Sequence, residues 1–352
     1  MDKKEALKIV KKESWRFEDL PAHFKKDKDI VLEAIKTRGL CLKHADKSFK
    51  KDKKFILDAV KLNGEVLEYA DKSFRKDREI VLTAVKTWGY ALEYAHKSFK
   101  KDREIVLTAI KSKSKNYKHR VNPYGESIKH ADKSLRKDRK IVLAAVKSDG
   151  NALEYVDEIF WKDREILLET AKSQSYGLRF ADKSFLKDKK FMLEAVKLCD
   201  VGGALQHAHK SLTKDREIVL AAVKKRGYAL EYAHKSLTKD REIVLIAVKD
   251  AGSTLEYADR KFRKDREIVL AAVKGSYNAL QYAGDIFKKD KEIVLEAVKN
   301  AYSYALQFAD ESLKKDKEII LEAVKANGNN LQYADDSLKK DKEIVDAAVK
   351  QD

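Results

Sequence analysis

A phrase of the form K-D-x-x-I-V-L-x-A-V-K returns along nearly the whole chain, and this recurrence limits the fold more than any other feature. Its aspartate stands at Asp27, Asp52, Asp77, Asp102, Asp138, Asp163, Asp188, Asp215, Asp240, Asp265, Asp290, Asp316 and Asp341. Most steps between these positions are 25 residues; those ending at Asp138, Asp215 and Asp316 are 36, 27 and 26. A period of this length implies a stack of small supersecondary units.

The stretch from Gly64 to Trp88 shows what one unit can form. Gly64 is expected to close the preceding helix in a left-handed turn. Val66, Leu67, Tyr69 and Ala70 then mark one face of a short helix. Asp71, Lys72 and Ser73 make a polar turn anchored by Phe74, and Asp77 is placed to cap a second helix. Ile80, Val81, Leu82, Ala84 and Val85 cover more than one face of that helix, which predicts packing on two or three sides. Lys86 near its end complements the helix dipole. One such pair cannot bury its own apolar surface, whereas stacked pairs share a continuous core. Ala59, Ala84, Ala109, Ala222 and Ala247 recur where adjacent helices must approach closely. The expected fold is all-α: an α-solenoid of about thirteen two-helix repeats in one continuous domain, right-handed by analogy with other helical repeats.

The phrase A-L-E-Y-A followed by D-R-E-I-V-L-x-A-V-K is clearest at Ala91–Ala95 with Asp102–Lys111, and at Ala229–Ala233 with Asp240–Lys249. It resembles the tandem repeats of a family known only as a domain of unknown function. The likeness covers nearly the whole chain. It implies repeated helical structure and carries over no activity, cofactor or catalytic residue.

Proline occurs only twice, at Pro21 and Pro123, so little interrupts helices. No run of apolar residues is long enough for a membrane span, and the opening MDKKEALKIVKK lacks a signal peptide's apolar core. Two distant cysteines, Cys41 and Cys199, form no disulfide framework, which favours an intracellular location. Residues 1–24 are expected to cap the array at one end, with Ala6, Leu7 and Val10 imitating a second helix and Pro21 breaking a degenerate first one. Residues 341–352 are expected to cap the other, because Asp346 replaces the leucine of Leu82 and should face water.

No catalytic constellation, metal set or cofactor motif stands out, so the expectation is a binding scaffold with no cofactor and no small-molecule substrate. His44, His130 and His207 take the register of Tyr69 and read as core-edge side chains; His96, His209 and His234 replace the turn aspartate. The formal charge of +18 directs attention to acidic partners. Lys72, Arg75, Lys76 and Arg78 crowd one turn; Lys97, Lys100, Lys101 and Arg103 crowd the next; Lys261, Arg263, Lys264 and Arg266 repeat the pattern later. Equivalent turns of a solenoid align, so these cations predict a basic ridge for a polyanion, with nucleic acid leading and an acidic protein or anionic membrane surface as other fits. The plainer account is that the lysines keep a repetitive monomer soluble. A second candidate is the insertion at 112–124, where Lys113, Lys115, Lys118, His119 and Arg120 accompany Tyr117 and Tyr124. The third is the variable turn after each second helix: Trp88, Tyr90, Arg226, Tyr228, Tyr277 and Tyr302 look exposed there and suit a protein partner.

Overall fold

The computed structural model describes residues 1–112, 124–173, 175–200, 202–276, 278–299 and 304–350. The chain divides into two compact units, Met1–Asp182 and Lys183–Asp352. Among the described residues every regular element is helical.

In the first unit the repeat around Asp77 has three pieces. Val66–Tyr69 is a single α-turn, Lys72–Lys76 is a 3-10 turn, and Arg78–Thr87 is the one long helix. In the next repeat the leading piece, Gly89–Tyr94, is itself 3-10. Such pieces are short because Ala70 and Ala95 adopt extended backbone immediately after them. Four to six residues sustain few α-type hydrogen bonds, and tighter i→i+3 bonds serve instead. The long helices of this unit, from Lys3–Lys12 through Arg164–Ser173, pack each on the next, and the leading pieces form a second layer beside them.

The second unit repeats the plan, with long helices from Lys189–Leu198 to Lys342–Val349. In both units each long helix after Lys3–Lys12, which Asp2 caps, starts at the capping aspartate foreseen for it. Asp77 accepts from the Glu79 and Ile80 amides at 3.0 and 3.2 Å, and Asp240 accepts from Glu242 and Ile243 at 3.0 and 3.2 Å.

The core follows the expected register with one change. Ile80, Val81, Ala84 and Val85 are fully buried, as are the stacking alanines Ala59, Ala109, Ala222 and Ala247. Leu82 and its equivalents are only half-buried, so one flank of every long helix borders solvent. Asp346 is exposed on that flank.

Gly64 is not left-handed; among the described residues only Gly202 has positive φ, at 73°. The long helix before Gly64 ends instead on extended Asn63. Gly64 is needed for close approach: a Cβ there would collide with the carbonyl of Ala84 in the following repeat, as one at Gly89 would with that of Ala109.

Backbone hydrogen bonds also join the repeats. The Asp71 amide donates to the Lys50 carbonyl at 3.0 Å and His96 to Arg75 at 2.9 Å. In the second unit His234 donates to Thr213 at 3.0 Å and Gly284 to Arg263 at 2.8 Å. Because main chain meets main chain, this link survives exchange of the turn side chain.

Candidate polyanion-binding edge

The turn cations sort into three groups by where the repeat directs them. The first follows the capping aspartate. In the first unit Arg78 reaches across to Asp102 at 3.3 Å and Glu104 at 2.6 Å, and Arg139 to Asp163 at 2.8 Å and Glu165 at 2.6 Å. Arg103 pairs with Asp138. In the second unit Lys189 meets Asp215 at 2.8 Å and Glu217 at 3.0 Å, Arg216 meets Asp240 at 2.7 Å, and Arg266 pairs with Asp290 and Glu292. One cation thus clamps the helix start of the next repeat. The carboxylates respond: hydrogen bonds from Arg139 and Arg216 hold Asp163 and Asp240 below the usual carboxylate range, against the opposing effect of burial. Arg78, Arg103 and Arg266 are therefore rungs of a ladder rather than cations awaiting a ligand.

The second group folds back on its own repeat. Arg75 donates to the Glu68 carbonyl at 3.0 Å, Lys100 to Glu93 at 2.8 Å, and Arg263 to Glu256 at 2.7 Å. Each satisfies a carbonyl left open at the end of the leading piece. The Arg75 guanidinium also lies 5.8 Å from the centre of the Tyr94 ring.

The third group remains at the surface. Lys72, Lys76, Lys97 and Lys101 are exposed in the first unit, and Lys261 and Lys264 in the second. Lys101 makes a loose contact with Asp132 at 3.9 Å, one of a second series that includes Lys137–Asp157 at 3.4 Å and Lys289–Asp310 at 3.6 Å. This series lapses where the next turn lacks aspartate. His96 follows Lys76 and Gly284 follows Lys264, and neither lysine has an ion pair among the described residues. His96 keeps the capping role: its Nδ1 accepts from the Ser98 amide at 3.4 Å and lies 2.8 Å from the Ser98 hydroxyl. His209 and His234 do the same with Ser211 and Ser236. Exchanging aspartate for histidine preserves the turn and removes a negative charge. The exchange is visible in sequence, but its effect on the lysine one repeat earlier is not.

The variable turns only partly match expectation. Trp88 and Tyr90 are half-buried rather than exposed. Their rings lie 6.0 Å apart, and Trp88 is 6.2 Å from Tyr94. The Tyr90 hydroxyl donates to Glu126 at 2.6 Å, and the Lys129 ammonium sits 4.5 Å from the ring centre. The aromatics fill the seam between repeats because both flank Gly89, where the neighbouring backbone comes closest. Arg226 and Tyr228 are exposed as expected; Tyr228 retains 54% of its surface. Its hydroxyl is 2.9 Å from that of Ser253, and Arg226 donates to the Asp200 carbonyl at 3.1 Å. Tyr277, Tyr302 and the loop residues Lys113, Lys115, Tyr117, Lys118, His119 and Arg120 lie outside the described residues, as does the side chain of Tyr124.

His44, His130 and His207 sit half-buried at the core edge. Burial, aided by Lys129 and Lys100, pushes the His130 imidazole down to about 4. Cys41 and Cys199 are buried thiols, and burial raises Cys41 to about 12 despite the opposing Arg38 charge. Among the described residues no group of three or more His, Cys, Asp or Glu is placed to hold a metal ion, and no helix is long and apolar enough to cross a membrane.

Stacked helical units joined by ion-pair rungs and backbone links define a tandem helical-repeat protein. The sequence profile of the family described as Domain of unknown function (DUF4116) matches in overlapping segments, running 2–50, 28–75, 52–100, 77–120, 122–161, 163–212, 188–238, 215–263, 240–288, 265–314, 290–331 and 316–352. The chain belongs to that family. Most matches span two 25-residue repeats, the smallest piece that contains a complete ion-pair rung. A search of curated proteins finds no match.

Proposed function

We propose that this chain is a non-enzymatic scaffold that binds an acidic macromolecule, with nucleic acid as the leading candidate. The supporting observation is the set of exposed lysines on adjacent turns, Lys72, Lys76, Lys97 and Lys101, left over after arginines have closed the ladder. The surplus is electrostatic and periodic, which suits a phosphate backbone better than a compact anion. Labelled single- and double-stranded DNA and RNA, titrated with the protein across a salt series, test the reading. Binding is expected to weaken steeply with salt, and K72E/K76E/K97E/K101E to flatten the slope by about one unit per lost phosphate contact. An absence of binding at low salt overturns it.

A second reading, a protein partner held through the variable turns, is favoured by exposed Tyr228 beside Arg226. Aromatic anchors of this kind carry much of an interface's energy. Under that reading Y228A weakens capture of the partner while salt has little effect.

A further inference from the structure

The half-buried leucine flank of the long helices changes character in the second unit. Beside Leu220, Leu245 and Leu270 stand Ala221, Ile246 and Ala271, all half-exposed. Elsewhere this second position is often acidic, as in Glu33, Asp58, Glu169, Glu194, Glu296 and Glu322. Where the acid is present it can hold the lysine one turn later: Glu33 pairs with Lys36 at 2.6 Å, Glu296 with Lys299 at 3.2 Å and Glu322 with Lys325 at 2.9 Å. The acid is absent at Thr83, Thr108 and Ala144 in the first unit and at Ala221, Ile246 and Ala271 in the second. In the latter three consecutive repeats the position is wholly aliphatic, and Lys224, Lys249 and Lys274 are exposed and have no ion pair among the described residues. The nearby carboxylates do not compensate, because each is already held by the preceding repeat: Glu217 by Lys189, Glu242 by Arg216 and Glu267 by Arg241. At the start of this stretch a shallow cleft opens between the long helices Lys189–Leu198 and Arg216–Lys225, lined by Leu193, Leu220, Ala221 and the Lys189-held Glu217 and flanked by Lys197, Lys224 and Lys225.

We infer that this flank, over residues 216–275, docks an acidic peptide in an extended, polyproline-II-like conformation, with aliphatic side chains on the leucine strip and carboxylates on the lysine row. Charge complementarity selects the acid, and the apolar strip selects a peptide over a nucleic-acid backbone, which would leave the strip uncovered. The spacing fits as well. Packed helices lie about 8–10 Å apart. A polyproline-II chain advances about 3.1 Å per residue with three residues per turn, so its columns of side chains repeat every ~9 Å. One column then meets Leu220, Leu245 and Leu270, the next meets Lys224, Lys249 and Lys274, and the third faces water.

The test uses the full chain and a fluorescein-labelled peptide of four Leu-Glu-Ser triplets. Control peptides carry glutamine for glutamate or serine for leucine. The first peptide is expected to bind, and each control about tenfold more weakly. The variant A221E/I246E/A271E restores glutamates that other repeats of this chain carry, and it too is expected to lose about tenfold. The milder K249Q/K274Q should weaken binding in the same direction, with thermal melts confirming that both variants fold. Failure of the Leu-Glu-Ser peptide to bind at low ionic strength, or equal binding by A221E/I246E/A271E, overturns the inference. So does displacement of the peptide by single-stranded DNA together with loss of DNA binding in that variant, since the flank would then be a nucleic-acid surface. The turn-edge variant K72E/K76E/K97E/K101E should leave peptide binding unchanged, which separates this flank from the edge proposed above.

Discussion

Asp77 has two roles that no single-repeat view combines. Its carboxylate caps its own helix through Glu79 and Ile80, and it also receives Lys53 of the preceding repeat at 2.7 Å. Losing the cap alone should cost about 1 kcal/mol, and the exposed pair adds about 0.2–1 kcal/mol at most. D77A is therefore expected to lower stability by about 1–2 kcal/mol in urea unfolding, with D77N recovering much of it. His130 behaves oppositely to a stabilising ion pair. Its Nε2 has no hydrogen-bond partner, and the Glu93 carboxylate stands off at 3.8 Å. The native state therefore keeps the ring neutral down to about 4, below the ordinary histidine value of 6.5. The stability that this gives is complete above about pH 6.5 and is lost as pH falls towards 4, because the unfolded chain takes the proton first. H130Y installs the aromatic found at Tyr94 and Tyr155. It should gain on the parent as pH drops through that window; parallel pH curves for the two proteins would refute this.

At the scale of the element, the long helix is a strong reading of sequence and the leading piece a weaker one. The pattern at Ile80, Val81, Ala84 and Val85 fixes a buried face whatever the neighbours do. Gly89–Tyr94 is 3-10 where Val66–Tyr69 is an α-turn, although both end on extended alanine and both begin at or just after a glycine set against a carbonyl of the next repeat, Ala109 in the case of Gly89. Glycine is required there for space, so G89A should destabilise by about 1–3 kcal/mol through overpacking, despite the better helix propensity of alanine. A neutral or stabilising result in thermal unfolding would contradict the close approach.

Across the whole molecule, each unit is held by contacts between neighbours: stacked alanines, ion-pair rungs and one backbone link per step. Stability should then be nearly additive along each unit. Enlarging a stacking alanine, as in A247L, is expected to reduce hydrogen-exchange protection most in the adjoining repeats and progressively less further along the second unit. A uniform loss over that unit would point to all-or-none unfolding instead. Acid should act on the Asp163 and Asp240 rungs together. Asp163 and Asp240 are depressed by their arginines, so their contribution is present above about pH 4 and disappears as pH falls below it. That window lies below the one set by His130, and the two are separable in a single pH series.

The repeat length, the capping aspartates, the buried faces and the family resemblance were all legible in sequence, because each depends on spacing within one chain segment. The charge of the turn edge was legible only as a sum. Arg75, Arg78 and Lys76 look equivalent in a row of letters, yet one caps a carbonyl, one clamps the next repeat and one stays at the surface. Trp88 and Tyr90 likewise sit in a variable turn that reads as exposed, yet their rings lie against each other and Tyr90 is held by Glu126 of the next repeat. What separates these side chains is the partner that folding brings within reach, the Glu68 carbonyl of its own repeat for Arg75 and the helix start of the next repeat for Arg78, and only packing in three dimensions decides which partner a side chain meets.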